Sequence, residues 1–182
     1  MGAGKDTDGD CLNAAHRPGI GRGAWRIKTM AKLTAKDGPA ILGFESHIIL
    51  EALLAMRFDI QADGRLSFFL DRDIPYVIGE NVPRPIKRLL DRFNLKKRDI
   101  THWIVHSGGK KVVDSIKYNL GLSNHDVRHT KSILREYGNL SSGSFLFSFQ
   151  RLAKEKIARE GDLGVMITMG PGTTIETGLL RW

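Results

Sequence analysis

Residues Trp103–Ser123 read WIVHSGGKKVVDSIKYNLGLS, and the order of residue types in that stretch decides the fold. Thr101–His106, THWIVH, is a short β-prone run that stops at Gly108-Gly109. Beyond the glycines, Val113, Ile116, Lys117 and Leu120 share one helical face, which predicts a helix over about Lys110–Leu120 with Gly121 as its stop. Strand, glycine turn and helix make the repeating unit of a layered α/β domain. Such folds bring ligands to the carboxyl end of a strand, beside free backbone N–H groups and the positive end of a helix dipole. His106 stands at that strand end, and the two glycines let a substrate approach the backbone. A histidine there can also serve packing alone; its position makes it the first candidate for chemistry.

Upstream, Ala40–Leu50 follows Gly38-Pro39 and reads as a buried strand, being rich in β-branched and apolar residues. Ala55–Ile60 and Arg65–Leu70 read as a hairpin turning at Asp63-Gly64. Ile74–Phe93 has late helical spacing (Ile86, Leu89, Leu90, Phe93), but Pro83 and Pro85 predict two pieces or a kink. Downstream, Val127–Tyr137 is a helix ended by Gly138. A further helix runs from about Ser142 to Arg159, with Ser141 or Ser142 as its cap. Gly164–Met169 and Thr174–Leu180 are apolar strands joined at Gly170-Pro171-Gly172.

Two further places could carry chemistry. Asn139 lies in EYGNLSSGS, a tight turn between helices, where it serves either the turn or as a rigid N–H donor to a carbonyl oxygen gaining negative charge. Met169-Gly170-Pro171-Gly172 forms a fixed turn that either lines a cavity or only turns the chain. The pairs His102/His106 and His125/His129 have ligand-like spacing. Asp126, next to His125, is their only adjacent acidic residue, and no carboxylate or thiol pair completes a site, so no metal site is assigned.

Composition sets the outer bounds. The 182 residues are 41% hydrophobic and 26% charged, which fits one soluble domain with a sizeable core. A single cysteine, Cys11, excludes a disulfide framework or a Cys-rich zinc site and suits a reducing cytoplasm. No apolar run is long enough to cross a bilayer, and the opening residues lack the apolar core of a secretory leader. Residues 1–37 are Gly-rich and irregular, with Asp6, Asp8 and Asp10 imitating a calcium loop in which Cys11 occupies the turn-glycine position. The net charge of +8 gathers in Asn81–Arg135. Phe93, Trp103 and Tyr118 are the only aromatic residues there, which disfavours nucleic acid and leaves a phosphate-bearing ligand or a solvated face.

Three motifs in one order then carry a resemblance. WIVHSGGKKVVDSIKYNLGLS, LREYGNLSSGSFLF at Leu134–Phe147 and MGPGTTIETGLL at Met169–Leu180 resemble the C-terminal half of chalcone/stilbene synthase-type (type III) polyketide synthases. The likeness reaches back through FFLDRDIP to about Pro39. HSGGKK and YGNLSSGSFLFS are most similar to the bacterial branch that serves glycopeptide-antibiotic pathways.

The resemblance implies a thiolase-like layered α/β fold, of which residues 38–182 form the C-terminal half only: a mixed sheet with helices on its faces. It implies an acyltransferase that uses CoA thioesters and no other cofactor, with a nucleophilic cysteine on the N-terminal domain. By the same carry-over, His106 helps keep that cysteine as thiolate. His106 and Asn139 both donate to the thioester carbonyl of malonyl-CoA, stabilising the enolate left after CO2 departs. Met169, Gly170, Pro171 and Gly172 would border the substrate cavity.

Three departures stand out. Thr168-Met169 replaces the family's Gly-Phe before the turn, and Thr173 follows it. Lys110-Lys111 replaces a small Pro-Ala pair, and one of these lysines is expected to meet a CoA phosphate. Cys11 lies in a polar Gly/Asp stretch unlike the nucleophile's setting, so the nucleophilic role is not carried over to it. The chain therefore reads as half an enzyme that forms a homo-oligomer or joins an N-terminal partner half. The alternative is a non-catalytic fragment that pairs with a full-length relative.

Overall fold

The computed structural model describes residues 38–182; the Gly-rich segment 1–37, with its acidic triplet and Cys11, lies outside the described residues. Six strands and five helices follow in the order β1 (Ala40–Ile48), β2 (Met56–Ile60), β3 (Leu66–Leu70), α1 (Ile74–Asn81), α2 (Pro83–Arg92), β4 (His102–Val105), α3 (Lys110–Leu120), α4 (Arg128–Tyr137), α5 (Ser144–Glu155), β5 (Leu163–Gly170) and β6 (Thr174–Arg181). The main sheet has the order β1-β6-β5-β4, with β4 and β5 parallel and the other neighbours antiparallel. β2 and β3 form a separate hairpin that turns through Gly64 at φ +79°, as the Asp-Gly signal predicts.

Strand alternation divides the core in two. Trp103, Val105, Val165, Ile167, Ile175 and Leu179 point to one face, where α1, α2 and α3 cover them with Ile78, Leu89, Val113 and Ile116. Ile104 and Leu180 point to the other face, where α5 brings Leu152, Phe145 and Phe149 against Met166 and Trp182. The expected mixed sheet with helices on its faces is therefore present. α3 buries Val112 alongside Val113, Ile116 and Leu120, while the Lys117 amine reaches out to Asn124 Oδ1 at 3.1 Å. Gly121 closes α3 in the left-handed conformation at φ +61°. The Pro83 break is equally clear: α1 ends at Asn81, and α2 starts with Pro83 in its first turn.

Two expectations need correction. β1 is not a buried strand, because among the described residues only β6 pairs with it and α2 covers only one of its faces. Phe44 and Ile48 on the open face are more than half exposed. Its outer edge is closed by side chains instead. Arg88 donates to Ser46 O at 2.8 Å and Arg92 to Phe44 O at 2.7 Å, and both pair with Glu45. Charged groups on a strand edge oppose pairing with another strand. α5 is also shorter than Ser142–Arg159: a single 3-10 turn at Ser141–Gly143 precedes it, and Lys156 in the left-handed conformation ends it. Ser144, the first helical residue, accepts from Leu140 N at 2.9 Å, so neither Ser141 nor Ser142 caps the helix.

Candidate active site

β4 and β5 run parallel, so both deliver their carboxyl ends to the same end of the sheet. There the His106 N–H donates to Ile167 O at 2.8 Å, continuing the ladder by one residue. Gly109 then takes φ +148°, a conformation that favours glycine, and α3 begins at Lys110 with no side chain capping its N–H groups. The helix that delivers Asn139 comes from across the chain. α4 is tied to the end of β4 by Thr130, whose hydroxyl donates to Val105 O at 2.8 Å, and it stops at Gly138 with φ +75°.

Asn139 and His106 converge on Gly108. The Asn139 Nδ2 donates to Gly108 O at 3.3 Å, and its Oδ1 accepts from Ser141 N at 2.9 Å, which fixes the amide's orientation. On the other side, a methyl group added to Gly108 would lie 3.1 Å from His106 Cδ2 and 3.3 Å from Nε2. His106 is 5% exposed, its Nδ1 has no partner, and burial pushes its pKa below the ordinary histidine value. The imidazole is therefore neutral at pH 7, able to donate through one nitrogen. The arrangement holds two side-chain N–H groups beside one glycine, at an open sheet end where Asn139 is exposed. Changing Gly108 to Ala should push the imidazole aside by a few tenths of an ångström while leaving the melting temperature nearly unchanged. A shifted His106 ring signal in the NMR spectrum with a nearly unchanged Tm is the expected result; an unshifted signal contradicts it.

The other expected site residues are placed as follows. Met169 and Gly170 end β5, the neighbour of β4, and Met169 packs against the larger core cluster. Pro171-Gly172 turns into β6 and is fixed from outside. Gly172 N donates to Met56 O at 2.8 Å, Thr173 Oγ1 to Ala52 O at 2.6 Å, and Ile49 N to Thr173 O at 3.0 Å. Thr173 is fully buried at φ +44°, an uncommon conformation for a β-branched residue. Lys110 and Lys111 are exposed in the first turn of α3, with no carboxylate in ion-pair range among the described residues.

The histidine pairs separate into local contacts. His102 Nε2 lies 2.9 Å from Asp162 Oδ2 and its ring meets Trp182 edge-on; His129 lies against Glu155. Asp162, a partner 60 residues along the chain, was not visible from sequence spacing. Among the described residues no three His, Cys, Asp or Glu side chains gather as metal ligands.

This mixed sheet with helices on both faces has known counterparts. Residues 45–182 match the C-terminal domain of the chalcone and stilbene synthases, and the chain belongs to that family, with a thiolase-like C-terminal domain fold. It is 52% identical over 176 residues to the 3,5-dihydroxyphenylacetyl-CoA synthase of Amycolatopsis balhimycina, covering 96% of this chain and 47% of that protein. With the enzyme of the same description from Streptomyces toyocaensis it shares 56% over 147 residues, covering 80% and 38%. The crystal structure of 1,3,6,8-tetrahydroxynaphthalene synthase from Streptomyces coelicolor superposes with a TM-score of 0.74 at 29% identity, over 80% of this chain and 41% of that one. The chain spans about half the length of the curated relatives it matches.

Proposed function

We propose that this chain acts as one half of a type III polyketide synthase site, pairing with a nucleophile-bearing thiolase-fold relative rather than condensing substrates alone. The observation that carries this reading is that His106 and Asn139 both pack against Gly108, in a chain whose single cysteine, Cys11, stands in a polar Gly/Asp stretch of the sequence. In the assembled site the two side chains donate to the thioester carbonyl of malonyl-CoA. The bond from the α-carbon to the carboxylate breaks and CO2 leaves. The electron pair remains as an enolate, held by the two donors until it attacks an acyl-cysteine of the partner. The identity with 3,5-dihydroxyphenylacetyl-CoA synthases favours that product for the assembled enzyme.

Exposed apolar side chains support pairing. Phe44 and Ile48 on β1 and Phe58, Ile60, Leu66 and Phe68 on the hairpin are each about half exposed or more. Light scattering after size exclusion should therefore find the purified chain self-associated, and adding a full-length 3,5-dihydroxyphenylacetyl-CoA synthase should convert it to a mixed complex. A stable monomer that ignores the synthase overturns the pairing.

Lys110 and Lys111 place two cations at the positive end of α3, where they cost helix stability and attract anions instead. They are the residues of choice for a CoA phosphate. Lys111→Glu should raise the malonyl-CoA KM of the assembled enzyme about tenfold, the worth of a charge-assisted contact. An unchanged KM removes lysine from this role.

A further inference from the structure

We propose that Arg151 is a positioning residue for Asn139, acting through the last turns of α4; this rests on the reading of Asn139 as a donor of the site. Arg151 projects from α5 onto three residues of α4. Its Nη1 donates to Ser132 Oγ at 2.6 Å and to Glu136 Oε1 at 2.9 Å, its Nη2 donates to Glu136 Oε2, and its guanidinium lies 6.0 Å from the Tyr137 ring centroid. The grip ends one residue before Gly138 and two before Asn139.

Beyond Gly138 the turn has few other constraints. The Leu140 and Ser141 N–H groups each make a 2.9 Å bond within the turn. The bond that aims the carboxamide at Gly108 is longer, at 3.3 Å. The carboxamide's place beside Gly108 therefore follows the end of α4, and a two-pronged guanidinium–carboxylate contact fixes that end in direction as well as distance.

The same helix pair supplies its own control. At the opposite end of α4, Arg128 makes an equivalent two-pronged contact with Glu155 of α5, nine residues before Tyr137. Both arginines join the same two helices, but only Arg151 grips the end of α4 that leads into Asn139. A merely structural role predicts equal consequences for their loss.

The test uses the full chain labelled with nitrogen-15 asparagine, with the Asn139 side-chain signals assigned by their absence in Asn139→Asp. Arg151→Ala should shift or broaden those carboxamide signals. It should also lower the rate of CO2 release from malonyl-CoA about tenfold, with KM changed less than twofold. Arg151→Lys, which keeps the charge but not the fork, should fall between Arg151→Ala and the parent. Arg128→Ala should lower Tm by a similar amount while leaving signals and rate in place. Unmoved carboxamide signals in Arg151→Ala, or signals moved equally by Arg128→Ala, overturn the proposal. Moved signals with an unchanged rate uphold the positioning and refute Asn139 as a donor. If the parent chain releases no CO2, the signals alone decide the positioning.

Discussion

Replacing His106 or Asn139 by alanine should reduce CO2 release from malonyl-CoA by about a hundredfold or more, the usual cost of deleting one preorganised donor to a developing oxyanion. Each substitution removes one of the two polar side chains that pack against Gly108. Stability should respond far less. Asn139 is exposed, and the His106 ring already holds an unpartnered Nδ1 in a buried setting, so its removal also relieves a desolvated polar atom. Because the two donors serve one oxygen, the double variant should lose much less than the product of the single losses. Asn139→Asp should be no better than Asn139→Ala, since a carboxylate accepts where the amide donates and repels an enolate. Release of CO2 at an unchanged rate in both alanine variants would remove His106 and Asn139 from the chemistry.

The elements that carry His106 and Asn139 were legible in the sequence because their signals are local. A strand ending in histidine, two glycines and a helix can be read from THWIVHSGGKK, and a helix stop followed by asparagine from EYGN. Pro83 and Asp63-Gly64 likewise act on their own neighbours, and the break and the hairpin fall where those residues put them. What stayed hidden depends on partners far along the chain. β1 has the composition of a buried strand, yet its burial depends on what lies beside it, and the closure of its edge by Arg88 and Arg92 joins residues more than 40 positions apart. The basic stretch Asn81–Arg135 posed the same difficulty. Several of its cations prove to be engaged: Arg88 and Arg92 with Glu45, Arg128 with Glu155, and Lys131 with Asp114. Lys110 and Lys111 keep their first-turn position without such partners among the described residues.

Gly79→Leu should be the most damaging single change in the helical layer, and the reason lies in how closely α1 crosses α3. Even a lone Cβ at Gly79 would sit 1.9 Å from Ser115 Oγ and 2.9 Å from Ser115 Cβ, with Asn119 Nδ2 at 2.8 Å. Ser115 is a short side chain on a packed helix and cannot swing far enough away. A leucine must therefore force α1 and α3 apart, over Ile78, Val113 and Ile116, which are fully buried around the crossing. Overpacking of this kind costs about 3 kcal/mol or more. In a domain of this size that is a fall in Tm of about 6–12 °C by calorimetry. Moving the space across the crossing should restore it. Gly79→Ala combined with Ser115→Gly exchanges one helix glycine for another, so propensity cancels and the pair should recover to within about 1 kcal/mol of the parent. A Gly79→Ala variant as stable as the parent, or a double variant worse than either single one, would mean the helices do not meet at this spot. The crossing also bears on the chemistry, because α3 starts directly after Gly108-Gly109. A chain carrying Gly79→Leu that still folds should have Gly108 displaced from His106 and Asn139, and in the proposed assembled site this should lower CO2 release out of proportion to the loss of stability.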